Sequence, residues 1–297
     1  MAEIAGNLTR WVSAARPRTL PLATSPVVAG IALAVAETGR VHLAAAAATL
    51  LAAVAIQVGT NLHNDAADFE RGTDGEDRVG PLRATAQGWF TARQVKLAAH
   101  LSFLTAFLLG AYLCLRGGGP ILLLGLASLA AGYAYTSGPR PIAYGPFGEL
   151  FVLLFFGVAA VGGSYYLQTL ALSPAALALG LALGLPAAAV LLLNNYRDLE
   201  TDRRAGRRTL CHYLGRQSAR SLYAALLLAP FPLLLPLDLP GRVWPVLAAL
   251  PFGLWLITRI AGGARGTALN PLLGATALFQ SVLTLLLVIG FVLPPRA

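Results

Sequence analysis

The sequence predicts an all-α, polytopic membrane protein, a bundle of about nine transmembrane helices forming one domain over residues 1–297. Three observations carry this. Of the 297 residues, 57% are hydrophobic and only 12% charged, about half the roughly 25% charge of soluble domains. The apolar residues fall in runs of about 20, the length a helix needs to cross the hydrocarbon core. The basic residues gather in alternate loops. Open sheet edges cannot face lipid, so the runs are read as helices, too long and too uniformly apolar for the alternating strands of an outer-membrane barrel.

In chain order the expected spans are about 20–36, 41–60, 95–115, 120–137, 149–171, 175–195, 219–237, 243–261 and 271–293. The first is short, with Pro21 and Pro26 in its first half. Arg10, Arg16 and Arg18 precede it, and no small-residue cleavage site follows, so it reads as a retained helix and not a cleaved signal. With the N-terminus in the cytoplasm, nine spans place eighteen of the 22 lysines and arginines on the cytoplasmic side, leaving Arg40, Arg116, Arg242 and Arg296 outside. That bias supports both span count and orientation, and it accounts for a pI near 10.1 without nucleic acid as a partner. The expected location is the inner (cytoplasmic) membrane. Cys114 and Cys211, the only cysteines, indicate neither a disulfide framework nor a cysteine metal site.

Against this background the charge in two loops stands out. Six of the 13 acidic residues lie between Gly59 and Arg83, in "GTNLHNDAADFERGTDGEDRVGPLR". After the sixth span comes "NNYRDLETDRRAGRRTL", Asn194 to Leu210. The two align without gaps over a short core: Asn61 on Asn195, Asn64 on Asp198, Asp68 on Asp202 and Gly72 on Gly206. This suggests an internal pseudo-repeat, with both segments on the cytoplasmic face. Asn194, Asp198 and Asp202 are spaced i, i+4, i+8, and Asn61, Asp65 and Asp68 i, i+4, i+7, each set on one helical face. Carboxylates four apart repel unless something positive lies between them. Arginine fits that role, and so does a hard divalent cation. Mg2+ takes one or two carboxylates and completes its shell with water and phosphate. Arg71, Arg78, Arg83, Arg197, Arg207 and Arg208 lie in or just past the acidic pairs, and guanidinium groups bind phosphate oxygens in pairs. Acids and arginines at a membrane boundary suit a phosphorylated molecule whose lipid tail lies among the apolar helices.

These segments resemble the two Asp-rich motifs of the UbiA superfamily of intramembrane prenyltransferases. "RPRTLPLA" at 16–23, "GTDGEDRVGPLRA" at 72–84, "YTSGPRPIAYGPFGEL" at 135–150 and "LNPLLGATALFQ" at 269–280 are similar to its MenA-like branch, the 1,4-dihydroxy-2-naphthoate polyprenyltransferases of menaquinone biosynthesis. The resemblance spans almost the whole chain. It implies transfer of a polyprenyl group from an allylic polyprenyl diphosphate to 1,4-dihydroxy-2-naphthoate, with loss of CO2 and diphosphate, in the lipid bilayer and with Mg2+ as cofactor. Asp65, Asp68, Asp198 and Asp202 are then the expected catalytic metal ligands, with Asp74 next. Many superfamily members carry a further Asp where this chain has Gly72, which leaves the first metal set open. Asn61, Asn64, Asn194 and Asn195 and the six arginines are the expected diphosphate contacts. Tyr135, Arg16 and Arg140 are candidates for the acceptor, and Tyr133, Phe155 and Phe156 for walls around an allyl cation. His63 is a candidate base. Alternatives are another aromatic acceptor such as 4-hydroxybenzoate, a non-catalytic scaffold, or a secondary transporter; the last is disfavoured because the expected spans hold almost no charge.

Overall fold

In a computed structural model, residues 2–72, 79–80, 83–237, 239 and 243–293 are described, with side chains from Gly6 onward. Among them are twelve α-helices and no strands. Helix α1 (Ala2–Ala15) is amphipathic and stacks Trp11 on Phe90 with ring centroids 3.9 Å apart. A left-handed Arg16 then turns the chain into α2 (Leu20–Thr38), and α3 (Leu43–Glu70) and α4 (Ala92–Ala134) follow.

Among the described residues seven helices are long and apolar enough to cross a membrane, where the hydropathy pattern predicts nine. Backbone breaks explain the difference. A straight α4 of 43 residues would be about 65 Å long, twice the hydrocarbon thickness. Gly118 interrupts it at φ 63°, ψ −150°, a conformation open to glycine and strained for other residues. The second half then folds back on the first, so that a side-chain carbon at Gly132 would lie 3.4 Å from the Phe103 ring. The third and fourth expected spans are these two halves. The seventh is divided: α9 (Leu210–Leu228) ends before Pro230, and α10 (Pro230–Leu234) is a separate short turn.

The fifth span is α5 (Gly148–Leu153), a π-helical turn at Leu154–Ala159 and α6 (Ala160–Thr169). It packs on α7 (Pro174–Arg197) by backbone contact: a Cβ on Gly157 would sit 2.4 Å from the Gly180 carbonyl oxygen. Small residues permit such approaches between membrane helices. After α7 come the one-turn-and-a-half α8 (Leu199–Arg204), then α9, α10, α11 (Leu250–Ala261) and α12 (Asn270–Val292). The largest apolar core joins α2, α6, α7 and α9–α12. A smaller one packs Ala14, Leu62, Ala66, Ala84, Val95 and Ala99 under Trp11 and Trp89. An open volume lies where the C-terminal ends of α3 and α7 converge.

Candidate functional site

That volume is about 1070 Å³. Its polar end is lined by Asn61, Asn64, Asp68, Arg83, Asn194, Asn195, Arg197, Asp198, Asp202, Arg207 and Asn270, and Arg16, Arg18 and Tyr135 also line the cavity. Its walls elsewhere are apolar, among them Leu22, Phe107, Leu113, Leu126, Phe151, Phe155 and Phe156. The two acidic motifs, 134 residues apart in sequence, therefore meet over one cavity.

On α3, Asn61, Asn64 and Asp68 repeat at i, i+3, i+7 and face the cavity. Asp68 Oδ2 accepts from Arg83 at 2.9 Å and Oδ1 from Arg207 at 2.6 Å, so one carboxylate links the first motif to the second. Asn64 Oδ1 accepts from the Thr136 hydroxyl at 2.7 Å. Asn61 Nδ2 donates to Ala15 O and Thr19 Oγ1, each at 3.1 Å, and so ties the Arg16–Thr19 turn to α3. Asp65 points elsewhere. It is 1% exposed, and its carboxylate accepts from the backbone N–H of Ala84 at 2.8 Å, of Thr85 at 3.1 Å, and from the Thr85 hydroxyl. It holds the turn that presents Arg83. Arg71 bonds the Thr136 carbonyl and covers one side of the Tyr144 ring. Asp74 and Arg78 lie outside the described residues.

In the second motif Arg197 is spent within the protein. Its Nε and Nη2 take both oxygens of Asp198, at 2.7 and 2.6 Å; Nη2 also reaches Asn194 Oδ1, and Nη1 reaches Asn270 Oδ1, both at 2.9 Å. Asn270, at the start of α12, also donates to Val79 O at 3.0 Å, closing a path from the second motif to the loop after the first. Asp202 has Arg207 at 3.7 Å. Burial pushes the Asp202 pKa up to about 7; Arg207 opposes the shift, while Asp198 and Asp68 add to it. Burial disfavours charge on Arg207, but Asp68, Tyr144 and Asp202 outweigh it and raise its pKa. The Arg207 guanidinium lies 4.6 Å from the centre of the Tyr144 ring, within cation–π range. Arg208 contributes its backbone N–H, which bonds Tyr144 O at 2.9 Å, while its side chain is exposed.

Arg16 and Tyr135 line the cavity, and Arg140 is exposed on a turn outside its lining. His63 is buried on the α4 side, with Nε2 2.6 Å from Ser137 Oγ and its ring stacked on Tyr133 at 4.6 Å. Tyr144, Thr136, Asn270 and Glu149, which bonds Asn195, are site neighbours that residue spacing does not reveal. Asn270 and Glu149 do carry one signal: each is a polar residue at the head of an apolar run.

The donor set suits a hard cation. Among the described residues no group of three His, Cys, Asp or Glu is close enough to cage a metal. Mg2+ needs no such cage, because water and phosphate complete its shell. Asp68, Asp198, Asp202 and the asparagine carbonyls offer only oxygen ligands at one end of the cavity. Burial raises the Asp202 pKa by disfavouring its charged form, and a cation beside it would favour that form again. The residues fit Mg2+ on this chemistry.

Fold and site together define a membrane-embedded pocket for an amphiphile with an anionic head. The chain belongs to the UbiA prenyltransferase family, whose model matches residues 23–267, as the motif resemblance implied. It is 40% identical over 278 residues to the 1,4-dihydroxy-2-naphthoate octaprenyltransferase of Mycobacterium tuberculosis, covering 93% of this chain and 94% of that one. It is 36% identical over 295 residues to the enzyme of the same name from Escherichia coli, covering 95% of each. The fold matches a UbiA homolog from Archaeoglobus fulgidus, solved bound to DMAPP and Mg2+, with a TM-score of 0.67 at 19% identity over 94% of this chain and 99% of that one. A UbiA homolog from Aeropyrum pernix matches with a TM-score of 0.68 at 16% identity, over 90% and 97%.

Proposed function

We propose that the chain transfers a polyprenyl group from an allylic polyprenyl diphosphate to 1,4-dihydroxy-2-naphthoate, releasing diphosphate and CO2 and forming demethylmenaquinol in menaquinone biosynthesis. The observation that carries the reading is a single cavity with carboxylates and arginines at one end and apolar walls along the rest. The names of the relatives support the acceptor, and the Archaeoglobus homolog, solved with DMAPP or GPP and Mg2+, supports the donor.

Asp68, Asp198 and Asp202 would hold the cation, with Asp65 supporting them through the Ala84–Thr85 turn. Mg2+ bound there supplies positive charge against the leaving diphosphate. Arg207 and Arg83 add fixed positive charge at the same end, and preorganised charge aimed at a developing anion is the strongest catalytic device available. Phe155, Phe156 and Tyr135 wall the adjoining volume, excluding water and offering ring faces to an allylic cation. Arg16, half-buried in the cavity lining, is the cation for the carboxylate of the acceptor. The polar end faces the cytoplasm of a cytoplasmic-membrane protein, by the distribution of arginines between loops.

The test uses purified protein in detergent with Mg2+, a long-chain prenyl diphosphate, and either 1,4-dihydroxy-2-naphthoate or 4-hydroxybenzoate. Prenylated product and CO2 with the naphthoate alone is the expected result. Product with 4-hydroxybenzoate alone reassigns the acceptor, and no product with either overturns the reading.

A further inference from the structure

Glu149 is the second residue of α5, a carboxylate only 5% exposed at the head of an apolar span. Its Oε1 accepts from Asn195 Nδ2 at 2.9 Å. Its Oε2 is enclosed and, among the described residues, has no hydrogen-bond partner. Burying a carboxylate without a cation beside it is costly, and an enclosed polar atom without a partner calls for a reason. Apolar packing supplies none, since a leucine would fill the same place more cheaply.

Asn195 supplies the reason. It lines the cavity together with Asp198 and Asp202. An amide has two unlike ends, and Glu149 takes the N–H end. The carbonyl oxygen is thereby the end left for the cavity. An oxygen acceptor cannot bond a diphosphate oxygen, but it can ligate a hard cation. Without Glu149 the amide is free to turn and offer its N–H groups instead.

We propose that Glu149 is a positioning residue: it fixes the Asn195 amide with its carbonyl oxygen toward the cavity, so that Asn195 joins Asp198 and Asp202 as a ligand for the divalent cation. This rests on the Mg2+-dependent reading above.

The test is a Mg2+ titration of the purified full-length protein with inorganic pyrophosphate present, followed by melting temperature, with product formation measured in parallel. Glu149→Leu raises the half-saturating Mg2+ in both readouts by about tenfold or more, as loss of a partner behind a metal ligand does. Glu149→Gln keeps the Mg2+ curve of the unaltered protein, because its carbonyl oxygen accepts the same N–H. Asn195→Ala shows the same shift as Glu149→Leu, and the double variant is no worse than either single one. An unshifted Mg2+ curve in Glu149→Leu or Asn195→Ala overturns the proposal. So does a Gln variant as impaired as the Leu variant, because the carboxylate itself would then be at work, and so does an additive double variant. Should Glu149→Leu fail to fold, Asn195→Ala and Glu149→Gln decide it. If the proposed function is wrong, the unaltered protein makes no product, while the melting curves still report the positioning.

Discussion

In the first motif, both oxygens of Asp65 and both of Asp68 meet donors from the protein: two backbone N–H groups and a hydroxyl for one, two guanidinium groups for the other. In the second, Arg197 grips both oxygens of Asp198, while among the described residues the side chain of Asp202 has no donor closer than Arg207 at 3.7 Å. The first motif is thus largely neutralised from within, while the second keeps a buried carboxylate whose pKa is pushed up to about 7. Like sequence spacing has produced two differently partnered pairs: Asp65, Asp68 and Asp198 each accept hydrogen bonds from the protein at both oxygens, and Asp202 has an arginine only at 3.7 Å. Arg207 spans the two, within ion-pair distance of Asp68 and Asp202.

The two motifs differ most at Asp202. Asp202→Asn removes a buried cavity-lining carboxylate that no hydrogen bond from a described residue holds, and turnover at saturating substrate falls by about 10²–10³-fold, measured as prenylated product in detergent. Raising Mg2+ does not restore it. If Asp202→Asn turns over normally at low Mg2+, the second motif does not hold the cation. Arg207 comes next. Arg207→Lys keeps the charge but loses the planar fork that reaches Asp68 while lying over Tyr144. A loss of about 10–100-fold is expected, from one or two charge-assisted hydrogen bonds. Retention of full activity by the lysine variant would mean that Arg207 acts only as a point charge.

Within the first motif, Asp65 and Asp68 should separate. Asp65→Ala strands the backbone N–H groups of Ala84 and Thr85, both buried, at a cost of about 1–3 kcal/mol for an unsatisfied buried group. The expected outcome is a lowered melting temperature, with activity per folded molecule falling less than in Asp68→Ala. A stable but inactive Asp65→Ala protein would return Asp65 to the metal.

This separation also shows where sequence reasoning runs out. Helical spacing brings Asn61, Asp65 and Asp68 to one broad face, and residues three or four apart are neighbours on a helix. Spacing cannot say which neighbour faces the cavity. That is decided by the Ala84–Thr85 turn, 19 and 20 residues on, which claims Asp65. The meeting of the motifs, the polar end and the bundle of apolar helices were legible because they follow from hydropathy and charge. The inward turn of Arg197 was not, because it depends on Asn270, 73 residues away. The break at Gly118 and the interruption at Pro230 were hidden for another reason: hydropathy measures the length of an apolar run and not the backbone torsions inside it.

The smallest expected effect concerns the two arginines offered by sequence as partners for the carboxylate of the acceptor. Both flank expected spans on the same side, and composition does not rank them. Position does. Arg16 is half-buried and lines the cavity, in a turn that Thr19 and Asn61 fasten to α3, while Arg140 is exposed outside the lining. Arg140→Ala should therefore change turnover and the KM for the naphthoate by no more than about twofold, as surface substitutions commonly do. Arg16→Ala should raise the KM for the naphthoate several-fold more than it lowers kcat, because a carboxylate carried unchanged into the cavity is bound in the ground state and the transition state alike. The measurement is steady-state kinetics with the acceptor varied at saturating prenyl diphosphate. A KM effect confined to Arg140→Ala would reverse the assignment and place the acceptor outside the cavity that Asp68 and Asp202 share.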